Sequence, residues 1–386
     1  MGLFDVFKKI FHNSTDNLPV IEQTTAQDNP PLVKITFSQE PPADSPSPDI
    51  VPLNVLLKKA VPTKRVLYPH EILMLDYAHT FSTSSRNNHF QGFWYYYEYS
   101  VEHPGAVLKS LERRGFIQPG DLRSAIQNLT VPMIKKELKA IGQKVSGKKA
   151  ELIDRLLENA SLEDLEKKFP VRFYELTESG QQELAENQYV PYLHRHKYMS
   201  VWEMNDRLNH KNPRHLGYRD LIWQFFNEES LKHLHEGDMG LYRNTRLNMY
   251  EFLFEEKRYD QAFNLLCEVI AYDLSGMDNN EFDDIGKKFR LQLALEYDFP
   301  YDHSSVKLPP AIKQWLANLQ GRLEFSDGEL RQKLLYQFES ISLYLRIFTN
   351  QECVEIVMAE LAEDLDTLDN IYSTAEKRLR AMLNSL

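Results

Sequence analysis

Thiols are scarce in this chain of 386 residues: it has two cysteines, Cys267 and Cys353, each within an apolar helical pattern. That excludes a disulfide framework and suits a reducing cytoplasm. No run of about 18 apolar residues occurs, so no membrane-spanning helix is expected. The start, MGLFDVFKKIF, lacks the long uncharged core and small-residue cleavage site of a signal peptide. A Walker loop, a GxSxG turn, an HExxH helix and a CxxC pair are missing too. We therefore expect a nonenzymatic protein with no cofactor and no metal. Positive charge is in deficit: 45 Lys and Arg against 56 Asp and Glu leave a net charge of −11. This excludes a chain coated in nucleic acid, and any polyanion must be met by a local patch.

Histidines do cluster, in YLHRHKY (His194, His196), NHKNPRH (His210, His215) and HLHEGD (His233, His235). Such proximity permits a metal-dependent nuclease in principle. Without a cysteine or a paired carboxylate at ligand spacing, surface or capping histidines are the expected reading.

The length suffices for two or three domains, and 42% apolar with 26% charged residues is ordinary for a globular protein. Residues 1–12 read as an amphipathic helix, with Leu3, Phe4, Phe7, Ile10 and Phe11 on one face and Lys8 and Lys9 on its flank. It suits a membrane surface or a protein groove equally. Gly2 invites a myristoylation reading, but Val6 stands where Ser or Thr is wanted. Residues 13–62 hold nine of the 19 prolines and no glycine, which predicts an extended, disordered linker. Folded structure is expected from about Tyr68. PHEILMLDYAHTF reads as a helix with Ile72, Leu73, Leu75, Tyr77 and Ala78 facing a core. The aromatic stretch Phe93–Val101 is ambiguous between strand and helix, and with EHPGAVLKSLERRGFI after it we favour helix, turn, helix.

LTVPMIKKELKAIGQKVSGKKAELIDRLLEN, residues 129–159, runs against the acidic trend. Lys135, Lys136, Lys139, Lys144, Lys148, Lys149 and Arg155 stand against Glu137, Glu151 and Asp154, with a fourth acid, Glu158, next to the end of the stretch. The pattern predicts two short helices. In the first, Thr130 is the N-cap, Leu129 a staple on Ile134, and Val131, Ile134, Leu138 and Ile141 the buried face. Gly142 stops that helix, Val145 plugs the gap, Ser146 caps the second helix, and Leu152, Ile153 and Leu156 are buried. Lys148 and Lys149 fall in the first turn, where free backbone N–H groups and two cations make a phosphate-sized site. The bland alternative is a solvated lysine face.

This stretch resembles a SAP motif, a helix–extended loop–helix unit. It supplies Leu129, Thr130, Ile134, Leu138, Gly142, Ser146, Gly147, Lys149, Leu152, Ile153, Arg155 and Leu156 of that pattern, and departs from it at Gln143, where an apolar residue is usual. The resemblance implies a module that binds duplex DNA, often A·T-rich, with little sequence preference. Some members bind RNA or protein instead.

On either side, VLKSLERRGFI (107–117) resembles the recognition helix of a winged helix. VRFYELTESGQQELAEN, with a strand at 173–176 and a helix from Thr177 carrying Leu184 and Ala185, resembles that fold's end. The SAP-like unit then occupies the wing. Lys109, Arg113, Arg114 and Arg123 add to the same basic region. From about 205 onward the chain reads as helices. EFLFEEKRYDQAFNLLCEVIAYDLSG resembles half a tetratricopeptide repeat through Tyr259, Asp260, Ala262, Leu266 and Val269, with Tyr250 and Leu274 departing from it. The acidic run Glu360, Glu363, Asp364, Asp366 and Asp369 reads as a solvated face.

The expected fold class is mainly α with a small β wing. The expected organisation is an N-terminal helix (1–12), a linker (13–62), a winged-helix-like domain (63–128 and 160–200) with a SAP-like module (129–159), and a helical interaction domain (205–386). The expected function is a cytoplasmic, nucleoid-associated or peripheral-membrane adaptor. It would hold DNA or RNA phosphates through Lys135, Lys136, Lys139, Lys144, Ser146, Gly147, Lys148, Lys149, Arg155, Lys109, Arg113 and Arg114, and recruit an unnamed protein through its helical half. The rival is a protein scaffold that binds no DNA. The sequence leaves the oligomeric state open.

Overall fold

The computed structural model describes residues 50–83, 97–277 and 284–385. The helix expected over 1–12, the linker up to residue 49 and residues 93–96 of the aromatic stretch lie outside them. The described residues are mainly α, with one two-stranded sheet.

Ordered structure begins earlier than Tyr68. The last part of the expected linker forms helix α1 (Leu53–Lys59), entered from Pro52. Its ends are tied down. The Asn205 amide accepts from Val61 N at 2.8 Å and donates to Val61 O at 3.0 Å, and the Ser100 hydroxyl donates to the Val51 carbonyl. Proline content marks a linker only where apolar residues are sparse; here Leu53 packs on the main core.

Next come α2 (Pro69–Tyr77), a 3₁₀ turn (Ala78–Thr80), α3 (Pro104–Arg113) and β1 (Ile117–Pro119). As the sequence predicts, α2 buries Ile72, Leu73 and Leu75, with Ala78 just after it, and Leu108 and Leu111 of α3 are buried with Phe116. Then follow α4 (Leu122–Gln127), α5 (Val131–Ala140), α6 (Lys149–Asn159) and α7 (Leu162–Lys168) before the chain returns as β2 (Tyr174–Leu176). The strands are antiparallel, with Ile117 opposite Leu176 and Pro119 opposite Tyr174, and Ser82 forms a bridge to Phe173. The four helices α4–α7 are thus inserted between two paired strands.

Thr177 caps α8 (Glu178–Glu186), its hydroxyl accepting from Gly180 N at 3.2 Å. Leu184 is half-buried and Ala185 exposed. The buried members are Gly180 and Glu183. Glu183 has a fully buried carboxylate that accepts from Arg65 at 2.8 Å. A burial pattern read from apolar residues cannot find a position filled by an ion pair.

The rest is helical: α9 (Tyr189–His196), α10 (Val201–His210), α11 (Tyr218–Glu236), α12 (Met239–Glu255), α13 (Tyr259–Asp273), α14 (Asp284–Tyr297), α15 (Pro310–Arg322), α16 (Asp327–Ser340), α17 (Asn350–Ala362) and α18 (Leu365–Ser385). The hairpin α12–α13 buries Ala262, Leu266 and Val269 completely. Tyr250 and Leu274, the departures from a tetratricopeptide repeat, are buried as well, with Tyr250 5.5 Å from the Trp315 ring of α15. The domain boundary read at 200–205 has no counterpart in the packing. One apolar core runs from Leu67 to Leu379. Aromatic contacts carry it across: Tyr198 lies 5.1 Å from Phe226, which lies 5.9 Å from Phe252. In the acidic run Glu363, Asp364, Asp366 and Asp369 are exposed, whereas Glu360 is buried and accepts from the Tyr301 hydroxyl.

Two predictions follow from this packing. A Cβ at Gly180 would stand 2.0 Å from the Phe116 carbonyl oxygen, where α8 meets β1. Gly180→Ala should cost about 1–3 kcal/mol by chemical denaturation, the range for overpacking. His70 lies between the Tyr68 and Trp202 rings, and burial, then the Arg114 charge, lowers its pKa to about 4. The folded state keeps it neutral while the unfolded chain protonates near 6.5. Its contribution, about 3 kcal/mol, is present above pH 6.5 and lost as pH falls toward 4. Stability of His70→Gln measured across that window should fall less steeply than that of wild type.

Candidate nucleic-acid interface

The inserted unit has a core of its own. Leu122 and Ile126 of α4, Ile134 and Leu138 of α5, Leu152, Ile153 and Leu156 of α6, and Leu165 of α7 are buried together, apart from the main core. Residues 129–159 are therefore only its centre. Two short helices bury too little apolar surface to stand alone, and α4 and α7 supply the remainder. The sequence signal for these flanking helices was present in Leu122, Ile126 and Leu165 but too short to register as a period.

Local geometry departs from expectation at several positions. Thr130 is the N-cap of α5 by backbone conformation only; its side chain makes no capping bond. Leu129 packs on the small core, as a staple would. Helix α6 starts at Lys149 with Lys148 as N-cap, so Ser146 lies outside it. The Glu151 carboxylate takes the capping role and accepts from Lys148 N at 3.3 Å. Gly147 has φ +133°, and a Cβ there would meet the Glu151 Oε2 at 2.6 Å. Ile141 and Val145, expected inside, are 38% and 39% exposed. Gln143 accounts for its departure from the motif: its amide donates to Asn159 Oδ1 of α6 at 3.2 Å, a polar tie where an apolar contact was expected.

The cations fall into groups. Lys135, Lys136, Lys139, Lys144 and Lys148 are exposed and, among the described residues, form no ion pair. Three of the four acids in residues 129–159 are engaged elsewhere, and the fourth, Glu158, is exposed near the end of α6. Glu137 pairs with Lys168 of α7 at 2.6 Å, Asp154 with Arg123 of α4 at 2.6 Å, and Glu151 holds the α6 N-terminus. Lys149 Nζ donates to the Gln127 carbonyl at 2.7 Å. Arg155, half-buried, donates to the carbonyls of Lys144 (2.7 Å) and Ser146 (3.1 Å).

On the neighbouring helix α3, Lys109 and Arg113 are exposed. Arg114 has partners within the chain. It pairs with Glu71 at 2.6 Å, donates to the Arg65 and Val66 carbonyls, and lies 5.2 Å from the Phe116 ring centre. Its position next to Arg113 made it look like part of the basic face; although the residue is exposed, its guanidinium is taken up by these partners.

The histidines are not all surface groups. His194 is buried 3.3 Å from the Tyr99 hydroxyl and 3.3 Å from a Glu98 carboxylate oxygen. His196 stacks on Tyr192, and His233 is buried 3.4 Å from Glu229. Among the described residues no three His, Cys, Asp or Glu side chains are grouped to hold a metal ion. Both cysteines are buried and reduced, and burial pushes the thiol pKa of Cys353 up to about 12 and that of Cys267 higher still. No described helix is long and apolar enough to cross a membrane.

Residues 125–159 match the SAP domain family model. No curated protein and no solved structure matches the chain. The SAP match starts within α4 and ends with α6, and a SAP domain points to nucleic-acid binding in general. In this chain the SAP domain is continued by α7, which completes its core and supplies Lys168 to neutralise Glu137.

The separate core predicts separate unfolding. Leu138→Ala, at a fully buried position, should cost about 2–5 kcal/mol. Amide exchange should then accelerate across residues 122–168 while the amides of α12 and α13 stay protected.

Proposed function

We propose that this protein is a nonenzymatic nucleic-acid-binding adaptor. Its SAP domain grips the phosphates of a duplex with little sequence preference, through Lys135, Lys136, Lys139, Lys144 and Lys148. The observation that carries this reading is the absence of intramolecular neutralisation. Five exposed lysines stand free while three of the four acids among them, Glu137, Glu151 and Asp154, are occupied by a cation from α4 or α7 or by a helix end, which leaves Glu158 as the one exposed acid without such a role among the described residues. The acidic surplus lies elsewhere: residues 205–386 hold 31 Asp and Glu against 21 Lys and Arg. Such a patch on an otherwise acidic chain suits a local polyanion contact.

The base from α2 to α8 supports a winged-helix-like reading. Helix, bridge residue, helix, strand, insertion and strand follow in that order, with the SAP domain in place of the wing. Lys109 and Arg113 on α3 then offer a second, weaker contact, and two contacts on one rigid base reinforce each other through effective concentration. The C-terminal helices recruit a protein partner. The rival reading, a scaffold that binds no nucleic acid, predicts that wild type fails to retain duplex DNA even at low salt.

The direct test is a salt-titrated binding isotherm on a short fluorescent duplex. Each lost phosphate contact lowers the slope of log K against log salt by about 0.9. Lys144→Gln with Lys148→Gln should lower it by about 1.8 and weaken binding. An unchanged slope and affinity would remove these lysines from the interface.

A further inference from the structure

The lysine-rich stretch reads as seven equivalent cations, but its hydrogen bonds divide them. Arg155 projects from α6 toward the loop that joins α5 to α6. One guanidinium nitrogen reaches two carbonyl oxygens, those of Lys144 and Ser146, at 2.7 and 3.1 Å. These acceptors stand two residues apart, on either side of the exposed Val145. Loop carbonyls have no helix or ladder partner, so the guanidinium satisfies groups that otherwise fall to water. Lys149 acts in the same manner at a second place. Its ammonium binds the carbonyl of Gln127, the last residue of α4, where helix carbonyls lack partners and a cation is favoured. Lys148, its neighbour in sequence, makes no such bond through its side chain.

We infer that Arg155 and Lys149 are positioning residues of the phosphate site, and that Lys135, Lys136, Lys139, Lys144 and Lys148 are its ligands. This deepens the proposed nucleic-acid reading and rests on it. To reach a phosphate, Arg155 would have to release the loop that carries Lys144 and leads into Lys148. Its planar fork, not its charge alone, makes the contact, so lysine at this position is not a conservative replacement.

The experiment uses the full-length chain, a fluorescent duplex and amide exchange of the free protein. Arg155→Lys and Arg155→Gln should both weaken binding severalfold at an unchanged salt slope. Both should speed exchange at residues 144–148 in the absence of DNA. Lys149→Gln should likewise leave the slope unchanged. Lys148→Gln should instead lower the slope by about 0.9, the value for one phosphate, and leave loop exchange as in wild type. A slope reduced by about 0.9 in Arg155→Gln, or loop exchange unaltered in Arg155→Lys, overturns the inference. Should wild type fail to retain the duplex at low salt, the nucleic-acid reading itself falls. Loop exchange then decides the clamp alone: faster exchange in Arg155→Lys upholds it and unaltered exchange overturns it.

Discussion

Eight buried side chains, from Leu122 to Leu165, decide where every cation of the SAP domain points. A helix pair of this size buries too little surface to fix its own geometry. The flanking helices α4 and α7 make up the deficit, and each brings a charge with it. Arg123 engages Asp154, and Lys168 engages Glu137. Exposed ion pairs of this kind add little stability. Their effect is on the field: they remove the acids that would otherwise quench the neighbouring lysines. Packing and electrostatics are thus supplied by the same two helices.

Much of this was legible in the sequence and some was not, for identifiable reasons. The helices α2, α3, α5 and α6 follow from apolar spacing, from Pro104 at the start of α3 and from the glycine stops at Gly115 and Gly142. The strand before Thr177 and the start of α8 were also readable. Short elements escaped: α4 and α7, with six and seven residues, span less than two helical turns and show no period. Polar burial escaped as well, since Glu183 and His194 occupy interior positions that only a partner elsewhere in the chain explains. The extent of the main core was hidden because its bridge across residues 198–252 is aromatic and long-range.

At the site itself, residue type was legible and residue role was not. Lys148 and Lys149 are identical in sequence terms, yet one side chain is free and the other holds α4 to α6. Arg113 and Arg114 differ in the same way. In each pair a single step along the chain turns the side chain from solvent to a backbone carbonyl. Charge counting registers the cation and cannot register its acceptor.

The ladder position of the insertion has a last implication. Pro119, where the chain departs, lies directly opposite Tyr174, where it comes back, and Gly120 N still donates to Phe173 O at 2.8 Å beyond them. Departure and return are therefore neighbours, no farther apart than the ends of an ordinary hairpin. The strands close the base across the gap, and the inserted helices form a cassette that is also tied to it: Phe173 N donates to the Ser124 hydroxyl at 3.2 Å and the Asn128 amide donates to the His79 carbonyl at 3.0 Å. Held by two strands of chain instead of one, and by these contacts, that cassette has less freedom to swivel than a domain hung from a single linker.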